Sequence, residues 1–140
     1  MNIIEVLTGK DNTAAYQLML KLEKESNDSE LYYEHLNDFI GMLKNKSSYI
    51  KVRGFRLACA QAQWDSEGII DKNIDILLAM LDDAKPTAVR QCLQALPKVV
   101  QSKPGLRKII MKKLNGMDLS KYKDSMQPLI QKDIECLENI

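Results

Sequence analysis

Residue types that often carry chemistry are scarce in this chain, which has three cysteines and one histidine. Cys59, Cys92 and Cys136 are an odd number without C-x-x-C spacing, which favours reduced thiols over a disulfide framework or a zinc site. A buried thiol behaves as a small hydrophobe. We therefore expect Cys59 and Cys92 to pack in the core, and we favour packing for Cys136 over a redox or metal role. His35 has polar neighbours that indicate an exposed helix face, and a single histidine disfavours zinc binding and acid–base catalysis.

Two arginines, Arg53 and Arg90, each follow a valine in equivalent sequence contexts. We expect them to pair with the acidic end of the preceding helices, with Asp82 or Asp83 as the partner of Arg90. Contact with a substrate is the less favoured alternative. The sequence contains no recognisable combination of nucleophile, base and orienting group, so it predicts a protein that is not an enzyme, with no catalytic residues, cofactor or metal.

The composition is that of an ordinary globular domain. The 140 residues are enough to bury a core, and 45% are hydrophobic and 28% charged, which disfavours a disordered chain. Lys and Arg number 20 and Asp and Glu 19, so the overall charge indicates no particular partner. The N-terminal residues lack the basic start of a signal peptide, and no run approaches the roughly 20 apolar residues of a membrane span. We expect a cytoplasmic protein that does not associate with membranes.

The apolar residues recur with helical spacing throughout, and no segment alternates like a strand. Polar or glycine-containing stretches separate the segments, and Pro86 and Pro104 each stand where the first position of a helix is expected. The spacing predicts a short turn at 2–8 and helices near 12–26, 30–44, 48–63, 69–82, 86–101, 104–115 and 124–139.

These helices form a repeat of helix pairs. At a spacing of 37 residues the first helices share four apolar positions, namely Val52, Phe55, Cys59 and Ala62 against Val89, Cys92, Leu96 and Val99. The second helices match at spacings of 38 and 36, for example at Leu36, Ile74 and Ile110. A fixed period of helix pairs is the signature of a solenoid, in which each pair buries its apolar face against its neighbours.

The chain resembles the HEAT-repeat (HEAT/armadillo-like) family, including small bacterial HEAT-like proteins of similar length. The resemblance rests on Val52-Arg53, Val89-Arg90, Asp82-Asp83 and a proline, Pro97, inside a first helix. It implies an all-α fold, a right-handed α-α superhelix of three helix pairs in one domain, 1–140. The pairs would span 11–45, 47–83 and 85–118, with a capping helix at 120–140. We expect a kink at Pro97, because proline removes a helical hydrogen bond.

Trp64-Asp65 is the one pair that suggests chemistry within this resemblance, because some HEAT-like DNA glycosylases use aromatic and acidic side chains in a basic cleft. This chain is much shorter than those enzymes. We therefore favour a structural role for Trp64, as a large side chain that closes the core between repeats.

Charge is distributed unevenly along the chain. The net charge is −4 for residues 1–45, +1 for 46–97 and +4 for 98–140. In HEAT arrays the second helices line the concave side, and the repeat register places six residues on their exposed face: Glu34, Asp38, Lys72, Ile76, Lys108 and Lys112. We expect a groove that changes from acidic to basic along its length. A charged, solvated face without a partner is the alternative.

The resulting hypothesis is a non-enzymatic binding or scaffold protein that holds a protein or peptide in this concave groove. The alternative is nucleic-acid binding, with a possible link to DNA repair, through the basic residues of 98–123. A phosphate backbone would be repelled by Glu34 and Asp38, which makes the protein partner the favoured one.

Overall fold

The computed structural model describes residues 2–140, and within them the chain is all-helical and contains no strand. The α-helices are α1 (Ile3–Leu7), α2 (Asn12–Glu25), α3 (Leu36–Gly41), α4 (Ser48–Ala60), α5 (Ile69–Lys72), α6 (Ile74–Ala79), α7 (Pro86–Ala95), α8 (Pro97–Ser102), α9 (Arg107–Asn115) and α10 (Gln127–Glu138). Short 3₁₀ segments extend several of them, at Tyr33–His35, Met42–Lys44, Ala62–Trp64, Met80–Asp82, Pro104–Leu106 and Leu119–Lys121.

Each predicted helical segment is confirmed to within a few residues. The segment predicted at 69–82 is divided into α5, α6 and a 3₁₀ turn, and the segment at 86–101 is divided at Pro97 into α7 and α8. The second division lies where the missing N–H of proline was expected to interrupt the helix. Pro86 occupies the beginning of α7, where its missing N–H would have no partner in any case.

The long helices lie side by side in chain order. Helix α4 contacts α2 on one side and α7 on the other, and α7 then contacts α10. Helix α3 packs across α4, and α1 packs on α2. The first helix of each predicted pair therefore has the first helix of the next pair as its neighbour.

The apolar register predicted from the repeat agrees with the observed burial. All eight positions matched between the second and third first helices are buried, from Val52 at 6% exposure to Val99 at 0%. The matched positions of the second helices are also mostly buried, while Leu43 and Met117 are half-buried. One hydrophobic cluster extends from Leu7 to Leu137.

One glycine allows two of these helices to approach closely. A Cβ atom at Gly54 of α4 would lie 2.4 Å from the carbonyl oxygen of Phe39 and 2.7 Å from the Cβ of Met42. Because carbon atoms in contact are normally about 3.5–4.0 Å apart, only glycine fits this crossing of α4 and α3.

Among residues 2–140, no helix has both the length and the apolar character needed to cross a membrane.

Candidate functional site

The cysteines occupy two different environments. Cys59 and Cys92 are buried as predicted, and burial raises the pKa of each thiol, so neither is available as a nucleophile. Cys136 is exposed on α10, so the expectation that it packs in the core was wrong. It lies on the solvent side of α10, next to Leu137, which does pack inward. His35 is half-buried, with its ring nitrogens 3.5 Å from carboxylate oxygens of Glu34 and Asp38.

The Trp64-Asp65 pair serves the fold. The indole N–H of Trp64 donates to the carbonyl oxygen of Ser26 (2.8 Å), which secures the end of α2. Asp65 accepts hydrogen bonds from the amides of Ile69 and Ile70 at the beginning of α5, from the Tyr33 hydroxyl and from Lys103. Burial alone would raise the pKa of Asp65, but these donors outweigh it and lower the pKa. Both carboxylate oxygens of Asp65 are hydrogen-bonded within the fold, so its role is structural.

The predicted partner of Arg90 was wrong. Its guanidinium pairs with Asp133 of α10 at 2.8 Å, and this hydrogen bond raises the pKa of Arg90. Asp83 instead accepts from the Ser48 hydroxyl at 3.1 Å and from the Lys85 amide at 3.0 Å. Helix α10 packs against α7 and brings the carboxylate of Asp133 within reach of Arg90.

The six residues predicted to line one groove are all exposed, and three of them border surface depressions. Glu34 borders one with Glu67, Ile76 borders a second with Asp83, and Lys112 borders a third with Asp75. Asp38, Lys72 and Lys108 are exposed nearby on the same helices or turns. Acidic residues occur in all three depressions, and the second and third share Ala79 and Asp82. A single groove that changes from acidic to basic stays a prediction.

Half of the eight basic side chains in 98–123 have partners within the chain. Lys103 pairs with Asp65 and Asp71, and Lys113 pairs with Asp82 at 2.5 Å. Two more donate to backbone carbonyl oxygens, Arg107 to the C-terminal residues and Lys121 to Asp82. The ion pairs of Lys103 and Lys113 offset part of the positive charge that the region presents to a phosphate backbone.

A different groove lies on the first helices. It has a volume of about 400 Å³ and crosses the N-terminal turns of α2, α4 and α7. Its lining residues are Asn12, Thr13, Tyr16, Gln17, Ser48, Tyr49, Val52, Arg53, Lys85, Thr87, Ala88 and Gln91. Tyr16 and Tyr49 are 44% and 60% exposed. The groove therefore offers aromatic surface together with several hydroxyl and amide groups.

The wall of this groove contains two cationic side chains, Arg53 and Lys85, and no acidic one. The N-termini of three helices of ten or more residues, α2, α4 and α7, also lie at this groove. No side chain caps the beginning of α4 or α7. The partial positive charge of these two termini therefore lies at the groove, with the free amides supplied mainly by α4 because Pro86 leaves α7 without an N–H at its first position. The groove is consequently the electropositive one among the four depressions.

Arg53 is the most unusual residue of the groove. It is 3% exposed, donates from Nε to the carbonyl oxygen of Leu7 (2.9 Å) and from Nη1 to Asn12 (3.3 Å), and has no hydrogen-bond partner for Nη2 within residues 2–140. Burial lowers its pKa, because no carboxylate offsets the loss of water. The other two arginines of the first helices do have carboxylates: Glu23 for Arg56 and Asp133 for Arg90.

This groove was not predicted from the sequence. Its signal was present in the polar residues that begin each first helix, Asn12-Thr13, Ser48-Tyr49 and Thr87, and in Tyr16 on an outward-facing position. These residues suggest helix caps and solvent exposure when each helix is considered alone. They form a site only because α2, α4 and α7 begin at the same end of the layer.

Comparison of the chain with protein-family models, with curated proteins and with solved structures found no match.

Proposed function

We propose that the protein is a non-enzymatic binding protein with a HEAT-like arrangement, in which three helix pairs and a capping helix form one solenoid domain. The neighbour relations of α2, α4, α7 and α10 and the burial of the repeated apolar positions support this arrangement. Each unit of such an array contacts mainly the next, which leaves long continuous surfaces free for a partner. The free thiols fit a cytoplasmic location.

The binding surface in this proposal is the groove lined by Tyr16 and Tyr49, and the partner is an extended segment of another protein. The observation that carries the proposal is the pair of exposed tyrosines in a wall that is free of acidic residues. Tyrosine gives a large contact area at low entropic cost and is enriched at the energetic centres of interfaces. The second-helix surface, with residues such as Ile76 and Lys112, is the other candidate for the same function.

Panning a random peptide library on the purified chain tests the proposal. The matched variants are Tyr16→Ala/Tyr49→Ala in the groove and Lys108→Glu/Lys112→Glu on the second helices. These four side chains are exposed, so both variants should keep the wild-type melting temperature to within a few degrees. We expect peptides that bind wild type and the lysine variant and that the tyrosine variant does not retain.

The opposite pattern, in which the lysine variant alone fails, would place the binding site on the second helices. Enrichment of no peptide at all would contradict the proposal. For nucleic-acid binding, the second hypothesis, retention of a single-stranded oligonucleotide that is released steeply with rising salt would be required.

A further inference from the structure

The groove on the first helices has an electrostatic character that a purely apolar peptide would not use. Its wall holds the cations Arg53 and Lys85 and the uncapped beginnings of α4 and α7. Backbone amides of a helix's first turn point outward and attract anions, and the helix dipole adds partial positive charge. The binding free energy of a ligand with a negative group would therefore be more favourable here than at the other three depressions, each of which contains carboxylates.

Arg53 provides an independent indication of an anionic ligand. A guanidinium that is almost completely withdrawn from water normally has a carboxylate partner, because an unpaired buried charge is costly. Arg53 has only two neutral acceptors, a backbone carbonyl and the Asn12 amide oxygen, and its Nη2 has none within the described residues. Arg53 is also one of the residues that line the groove.

Nearby acidic residues limit how much negative charge the groove can accept. Asp11 caps α2 by accepting from the Ala14 amide at 3.0 Å, and Asp83 accepts from Ser48 at the border of the groove. Both carboxylates would repel a ligand with one negative charge per unit of length. Two cations flanked by these two acids complement a single carboxylate better than a nucleic-acid backbone.

We infer that the groove recognises an aspartate or glutamate side chain in an extended segment of a protein partner, with its carboxylate directed to Arg53, Lys85 and the beginnings of α4 and α7. An apolar residue next to this acid would lie against Tyr16 and Tyr49. This assignment rests on the proposed function, since it names the chemistry that the same groove selects.

The test uses peptides enriched on the wild-type chain, synthesised with a fluorescent label beside versions in which each acid is replaced by its amide. Binding is measured by fluorescence anisotropy on wild type, Lys85→Gln and Lys108→Gln. The last variant is the matched control, since it removes an exposed lysine from the second helices. Arg53→Met is measured as well, with its melting temperature, because Arg53 also holds Leu7 and Asn12 in place.

We expect the acid-to-amide change at one fixed peptide position to weaken binding to wild type by about tenfold or more, in line with a charge-assisted hydrogen bond. Lys85→Gln should weaken binding of the acidic peptide by a few-fold to tenfold and bind the amide version almost as wild type does. Lys108→Gln should match wild type throughout.

Three results would overturn the inference. If peptides depend on Tyr16 and Tyr49 but carry no acid at a fixed position, the groove binds peptides without selecting a carboxylate, and only the proposed function stands. If a single-stranded oligonucleotide binds more tightly than any peptide and Lys85→Gln releases it, the groove selects phosphate instead. If no peptide depends on the two tyrosines, the proposed function fails together with the inference.

Discussion

Replacing Gly54 by alanine should destabilise the protein, although alanine favours a helix. The added methyl would lie 2.4 Å from the Phe39 carbonyl oxygen, a backbone atom that cannot rotate away. Relieving the clash requires α4 to move from α3 by about 1 Å, since contacts of this kind need roughly 3.5 Å. Overpacking of this type costs about 1–3 kcal/mol, and a backbone clash lies at the upper end of that range.

The higher helix propensity of alanine offsets only about 0.5–1 kcal/mol of this destabilisation. The net loss in the free energy of unfolding should therefore be about 2 kcal/mol. For a domain of this size the corresponding decrease in melting temperature is about 6 °C. Thermal and urea unfolding followed by circular dichroism at 222 nm give both quantities, and two-state behaviour is checked by their agreement.

Gly41→Ala is the matched control, because it is the same substitution at the exposed end of α3. Gly41 has helical backbone angles (φ −59°, ψ −29°), and a Cβ there meets no atom within 4 Å. It should raise the stability by about 0.5–1 kcal/mol. If Gly54→Ala melts at or above the wild-type temperature, the close crossing of α4 and α3 is wrong.

Three further predictions concern the core, the buried carboxylate and the thiols. Leu78→Ala and Leu96→Ala should each cost about 2–5 kcal/mol in urea unfolding, and a loss below about 1 kcal/mol for both would refute the repeat register. Asp65 has a lowered pKa, so its ionised form stabilises the fold above pH of about 4, and this contribution is lost as the pH falls through the folded-state pKa. The stability difference between wild type and Asp65→Asn should therefore be constant near neutral pH and shrink in acid, whereas a pH-independent difference would refute the assigned hydrogen bonds. A thiol reagent should titrate only Cys136 in the native protein and all three cysteines in denaturant, and fast reaction of a second native thiol would contradict their burial.

The helices and the core could be predicted from the sequence because both depend on local spacing. The period of apolar residues fixes which side of a helix is buried, and the repeat of that pattern identified Val52, Val89 and their equivalents as core positions. Pro97 marked an interruption for a reason that is local as well. Information of this kind does not require knowledge of which helices become neighbours.

The candidate site could not be predicted, because it depends on contacts between distant segments. Asp133 is 43 residues from Arg90, and nothing in the local pattern favours it over Asp83. Arg53 is surrounded by neutral acceptors instead of a carboxylate because α1, α2 and α4 pack together, and the sequence does not show that packing. Cys136 lies next to the buried Leu137 on α10, and one residue turns a helical side chain by about 100°, which places Cys136 outside the buried stripe.

Which surface the partner occupies can be measured directly by site-specific photo-crosslinking in native cell extract. A benzophenone-bearing amino acid is placed at Tyr49 in the groove or at Ile76 on the second helices, which are 60% and 42% exposed. The proposed function predicts a discrete protein adduct from position 49 and none from position 76. The inference about the bound carboxylate adds an acidic residue near the crosslinked site in the partner's sequenced peptide. Adducts from position 76 alone, or a nucleic-acid adduct from position 49, would contradict the assignment of the groove as a peptide-binding site.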